Sequence, residues 1–104
     1  MASSKEYLEF ILDQLSPLEG VSHRAMMGEY LIYVRGRLVG GIYDDRFLVK
    51  PTASAKRMLP ASPMELPYAG AKEMLLADCV DDREALCALA EAIAAELPEG
   101  KRKR

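Results

Sequence analysis

Between Arg24 and Lys50 the chain reads RAMMGEYLIYVRGRLVGGIYDDRFLVK, three apolar runs divided by two short polar breaks. Arg35-Gly36 separates Tyr30–Val34 from Leu38–Tyr43, and Asp44-Asp45 separates that run from Phe47–Val49. Breaks of this length are two-residue hairpin turns, so the stretch predicts a three-stranded antiparallel meander. Unbroken alternation places Val34 opposite Arg37, Tyr33 opposite Leu38, Leu31 opposite Gly40, Ile42 opposite Phe47 and Gly40 opposite Val49. One face then collects Leu31, Tyr33, Leu38, Gly40, Ile42, Phe47 and Val49, without a charge, and is predicted to lie under helices. The other collects Tyr30, Ile32, Val34, Arg37, Val39, Gly41, Tyr43, Arg46, Leu48 and Lys50, a mixture that needs cover of its own. Gly28 falls inside the first strand and predicts a bulge or a close backbone approach. Gly40 and Gly41 are expected to make room for neighbours, Leu31 and Val49 on one face, Tyr30 and Leu48 on the other.

Ahead of the meander, Ser3-Ser4-Lys5-Glu6 has the spacing of a capping box with Ser3 at the N-cap. Tyr7, Leu8, Ile11, Leu12 and Leu15 then recur at helical spacing until Pro17 and Gly20. Beyond it, Thr52 caps a short helix over Ala53–Leu59, closed by Pro60. Three prolines, Pro60, Pro63 and Pro67, exclude helix from the next stretch, which predicts a loop with a short edge strand near Glu65–Tyr68. Lys72–Cys79 predicts a further strand, with Met74 and Leu76 on one side and Leu75 and Ala77 on the other. A second capping box, Asp81 to Glu84, opens the long helix marked by Leu86, Leu89, Ala90, Ile93, Ala94 and Leu97 up to Pro98. The expected order is α-β-β-β-α-β-β-α. The class is α+β in two layers, a three-stranded antiparallel meander plus a second hairpin.

At 104 residues, half of them apolar, the chain has material for one core. Residues 1–100 are read as one domain and Lys101–Arg104 as a flexible basic tail. A net charge of −2 gives no global reason to expect nucleic acid. Cys79 and Cys87 are eight apart, and one histidine does not complete a zinc set with them, so no metal or cofactor is expected and a reducing, cytoplasmic setting is. Lys5, Glu6 and Glu9 interrupt any N-terminal signal core, and no apolar run approaches a membrane span.

The run Arg24, Met26, Met27, Gly28 and Tyr30, followed by Tyr33, Gly36, Asp44-Asp45 and Lys50, resembles the signature of the N-terminal domain of TfoX/Sxy-type competence regulators. That signature is close to R-x-M-F-G-G-Y-x-I-Y, a hydrophobic strand, D-D and an L-Y-L-K-like strand. Departures are Met27 for Phe, Glu29 for Gly and Arg35 for the Asp often found at the first turn. The likeness runs from about residue 5 to 97. It implies a secretion-chaperone-like α+β fold and a non-enzymatic regulatory or interaction module, with transcription machinery as the class of partner. Full-length regulators of this kind join the domain to a second, C-terminal one. Only the tail follows the last helix here, so a stand-alone N-terminal domain is expected, without the roles that rest on the other half.

Candidate chemistry is sparse. Ser22 and His23 are adjacent, so on a strand they point to opposite faces, and no acid is placed to orient the imidazole; no catalytic residue is expected. Asp44, Asp45, Asp78, Asp81 and Asp82 read as turn and cap residues rather than cation ligands. Met26, Met27, Met58, Met64 and Met74 read as core filling rather than a soft binding surface. Tyr30, Ile32, Val34, Val39, Tyr43 and Leu48 on the mixed face form a candidate interface, and leaving them in water would expose more apolar surface than monomers tolerate, so a homodimer is expected. Two further readings are a nucleic-acid accessory protein acting through Lys101–Arg104, and a small-molecule binder with a pocket between the long helix and the sheet.

Overall fold

The computed structural model describes residues 4–97. After helix α1 (Lys5–Gln14) come four strands, β1 (Val21–Met26), β2 (Glu29–Val34), β3 (Arg37–Ile42) and β4 (Phe47–Val49). A short helix, α2 (Ala53–Met58), two short strands, β5 (Met64–Glu65) and β6 (Met74–Leu76), and the long helix α3 (Arg83–Glu96) complete the chain. All six strands join one antiparallel sheet in the order β1-β2-β3-β4-β6-β5. The predicted α+β class and order hold, and the meander gains one strand at its start. Met27-Gly28 is a turn rather than the interior of a strand, with Met26 opposite Glu29. The second hairpin is shorter than its apolar run: Met64–Glu65 stands in place of Glu65–Tyr68, and Met74–Leu76 in place of Lys72–Cys79.

Each connection in the meander is a two-residue turn with positive φ at both centres: Met27 (54°) and Gly28 (87°), Arg35 (50°) and Gly36 (81°), Asp44 (56°) and Asp45 (57°). This is the type I′ pattern, whose twist suits the strands it joins. A left-handed conformation costs a residue with a Cβ about 1–2 kcal/mol. Arg35 has local compensation. Its guanidinium donates to the Glu19 carbonyl at 3.1 Å and to Glu91 of α3 at 2.6 Å. Asp45 is tied as well, its carboxylate accepting from the Ser4 amide at 2.8 Å, which fastens the third turn to the start of α1.

The register departs from unbroken alternation at one place. Val34 opposes Arg37 and Tyr33 opposes Leu38, as expected, but Ile32 opposes Gly40 and Leu31 opposes Gly41. Val39 is therefore the extra residue of a β-bulge. Its insertion moves β2 over by one position relative to the far part of β3. Ile32, Val34, Val39, Ile42, Phe47 and Val49 become the face beneath the helices, each at most 1% exposed. Leu31, Tyr33 and Leu38, predicted for that face, lie on the outer side and are partly exposed. Beyond the bulge the pairing of Ile42 with Phe47 and Gly40 with Val49 is as the spacing predicts.

The helix layer covers that inner face with Leu8, Ile11 and Leu15 from α1 and its C-cap, Ala55 from α2, and Leu86, Leu89, Ala90, Ile93 and Ala94 from α3. Leu75 and Ala77 join them from the β6 region, as the alternation predicts. Arg37 lies on the same side and donates to the carbonyl of Ala94 at 3.0 Å, satisfying one of the last carbonyls of α3. Both long helices start one residue later than the capping-box spacing suggests. Ser4 caps α1 by accepting from Tyr7 N–H, and Asp82 caps α3 by accepting from Ala85 N–H. Ser3, the cap expected for α1, and the tail Lys101–Arg104 lie outside the described residues.

Thr52 caps α2 as predicted, and Glu96 at the end of α3 reinforces it. Its carboxylate accepts from Ser54 N–H at 3.0 Å and from Ser54 Oγ at 2.7 Å. Hydrogen bonds to the charged form hold the Glu96 carboxyl below its ordinary range, with Arg57 nearby helping. A lowered folded-state pKa stabilises the fold above the unfolded carboxyl value, about 4.3 for glutamate. That contribution is lost as pH falls through the folded value. In urea titrations, Glu96→Gln should be less stable than wild type at pH 7, and the gap should shrink at pH 3. A gap that stayed constant would show that the carboxylate charge is not what joins α3 to α2.

Candidate functional site

With the helices packed on one side, the other side of the sheet is left to itself and to the segment 66–73. This segment lies against the sheet near Tyr43, and lines a cleft with Tyr43, Lys50 and Met74. Arg46 holds it there, donating from Nε to the Tyr43 carbonyl at 3.1 Å, from Nη1 to Glu65 at 2.6 Å and from Nη2 to the Leu66 carbonyl at 3.4 Å. Pro67 is buried, and Tyr68, 56% exposed, meets Tyr43 with ring centroids 6.1 Å apart. Leu48 is fully buried on this side of β4. The Tyr43 ring lies over Gly41, where an added Cβ would come within 2.7 Å of it. Burial, and then Tyr68 and Glu29 beside it, raise the Tyr43 hydroxyl above its ordinary pKa.

The six residues of the predicted interface do not share a surface. Ile32, Val34 and Val39 are fully buried against the helices, because the Val39 bulge turns them inward. Leu48 and Tyr43 are on the outer side, but buried there, Tyr43 at 6% exposure. Tyr30 is half-buried at the margin of the core, beside His23. A homodimer through this set would have to break the chain's own core. Two charges of the mixed face are also engaged, Arg37 on α3 and Arg46 on Glu65.

The residues that carry the family signature fall mainly on the outer side and on the turns. Arg24 sits beside Leu31, and Met26 beside Glu29, so both share the face that also holds Tyr33. Met27 and Gly28, Gly36, and Asp44 with Asp45 are turn residues. Lys50 follows β4 and lines a cleft with the segment 66–73. The five methionines are not core: Met26, Met58 and Met64 are 37–39% exposed, Met74 is partly exposed and Met27 is 95% exposed. Core filling is thus overturned for all five.

Among the described residues, two clefts open on this side, neither of them lined by the long helix. One, about 420 Å³, is lined by Met26, Met27, Glu29, Tyr43 and Tyr68. The other, about 380 Å³, is lined by Tyr43 and Tyr68 again together with Lys50, Lys72, Glu73 and Met74 among others. Sequence reasoning missed them because Tyr68 and Lys72 lie in a proline-bounded loop with no periodicity to place it.

Asp44 and Asp45 form a turn and Asp82 a helix cap. Among the described residues no group of three or more His, Cys, Asp or Glu is placed to hold a metal ion. Ser22 pairs with Tyr33 and His23 with Ile32, so the two project to opposite faces. Burial pushes both cysteine thiols up from their usual values, the reverse of activation, and Cys87 donates to the Gln14 carbonyl. No helix among the described residues is long and apolar enough to cross a membrane.

A family model, the TfoX N-terminal domain, matches residues 13–96. An uncharacterised 12.7 kDa protein encoded in the trpE 5′ region of Spirochaeta aurantia is similar to this chain, 35% identical over 102 residues, which is 97% of this chain and 89% of that protein. No solved structure matches significantly.

Proposed function

Since the chain belongs to the TfoX N-terminal domain family, we propose that it is a non-enzymatic regulatory module that works in the cytoplasm by binding another protein through the helix-free side of its sheet. The observation that carries this reading is the character of that side. Arg24, Met26, Leu31, Tyr33 and Leu38 lie there without a helix over them, and Met27 stands almost wholly in solvent. Aromatic residues, methionine and arginine are the side chains that interfaces favour. A component of the transcription machinery is the partner class this reading takes first.

The test is affinity capture from the native cell with wild type and with Arg24→Glu/Met27→Glu, both sites being exposed and remote from the core. The variant should keep the wild-type melting temperature and lose one or more proteins that wild type retains. Identical captured sets, or none with either protein, would refute a role for this side.

A further inference from the structure

We propose that the two adjoining clefts form one docking groove for a short segment of a partner protein in which apolar side chains are followed by carboxylates. An apolar side chain enters between Met26, Met27 and Tyr68, and the carboxylates lie over Lys50 and Lys72. This rests on the interaction reading above and names what the module recognises.

The two clefts adjoin, since Tyr43 and Tyr68, with centroids 6.1 Å apart, line both. Its first half is built from side chains suited to apolar contact. Methionine adapts its shape to what it meets. Met27 occupies a left-handed turn position at φ 54° that glycine or asparagine would hold with less strain, yet its side chain is 95% exposed and gains little inside the chain. The second half carries two lysines, Lys50 and Lys72, with Glu73 beside them. Neither Lys50 nor Lys72 makes an ion pair or hydrogen bond through its ammonium group among the described residues, and Arg24 on the same side makes none either. Two unengaged ammonium groups beside an apolar lining favour a segment that carries carboxylates next to its apolar side chains.

The same features argue against a nucleic-acid strand. Tyr43 is 6% exposed, so Tyr68 alone of the pair offers a ring for base stacking. Arg46 and the buried Pro67 hold the wall that carries Tyr68, so a peptide meets a surface already formed.

A random peptide library displayed on phage, selected on the immobilised full chain, tests the proposal. Selected peptides should combine apolar residues with Asp or Glu. Their affinity should fall at least about tenfold on Lys50→Glu/Lys72→Glu, as expected when complementary charge becomes repulsive. Selection on that variant should favour Lys or Arg instead. If the variant melts early, Lys50→Gln/Lys72→Gln replaces it, with the same loss expected. No enrichment, enrichment without acids, or indifference to the lysine changes would overturn the proposal. So would binding of a dT oligonucleotide that those changes abolish, which would assign the groove to nucleic acid. If peptides fail while capture from cells still depends on Arg24 and Met27, the interaction reading stands and only this groove assignment falls.

Discussion

Replacing Gly40 by alanine should destabilise the protein by about 2–4 kcal/mol, the upper part of the range for overpacking. For a domain of this size that lowers the melting temperature by roughly 10–30 °C. A Cβ at Gly40 would lie inside the contact distance of the Leu48 carbonyl oxygen and 2.9 Å from Val49 Cα. Both are backbone of β4, hydrogen-bonded in the sheet, and cannot swing aside as a side chain would. The close approach follows from the bulge at Val39, after which the chain must rejoin β4 at Val49. Gly40→Val, although valine is the better strand former, should be worse than alanine. Gly36→Ala is the contrast: its Cβ would have nothing within 4 Å, and only its φ of 81° would be strained, for a cost of about 1–2 kcal/mol. Thermal melts of the three variants decide the matter. If Gly40→Ala melted with or above Gly36→Ala, the tight approach of β3 to β4 would be wrong.

That glycine also shows how far the sequence could be read. The two later turns, the three helices and the second pair of strands were legible because each had a local signal: turn residues between apolar runs, a cap before a periodic stripe, proline at an end. The bulge had one too, but Gly40-Gly41 carries no side chain, so binary alternation is silent at the point where it breaks. A glycine in a strand was read as a bulge signal at Gly28 instead, which is the second residue of a type I′ turn. Met27-Gly28 repeats the pattern of Arg35-Gly36, and comparing the two would have exposed β1, whose residues are partly or fully exposed and so give no apolar run. Under unbroken alternation Ile32 and Val34 fall on the outer face, where only a second copy would cover them; the bulge puts both beneath the helices. The outer groove had no sequence signal of its own, since it depends on a loop folding against the sheet and on Arg46 bonding to Glu65, nineteen residues further along.

Ile32→Glu should abolish the fold, whereas Leu31→Glu, one residue away, should leave it intact. Unbroken alternation demands the opposite result, with Leu31 in the core and Ile32 outside. Ile32 is fully buried opposite Gly40, among Val34, Val39, Ile42 and the helix side chains. A carboxylate there shares its face with Arg37, whose guanidinium is already bonded to the Ala94 carbonyl, so it must either ionise in largely apolar surroundings or take up a proton at neutral pH. The loss of the isoleucine contacts adds to that penalty. A total above about 5 kcal/mol takes most of the stability of a domain this size. Leu31 lies on the outer side beside Arg24, where a glutamate stays hydrated and gains a cationic neighbour. Its cost should be about 1 kcal/mol or less, in keeping with a partly exposed position. Circular dichroism at 25 °C separates the outcomes without ambiguity: a folded Leu31→Glu beside an unfolded Ile32→Glu upholds the bulged register. A folded Ile32→Glu with a collapsed Leu31→Glu would restore the unbroken one, and would return Ile32, Val34 and Val39 to the surface as candidates for self-association.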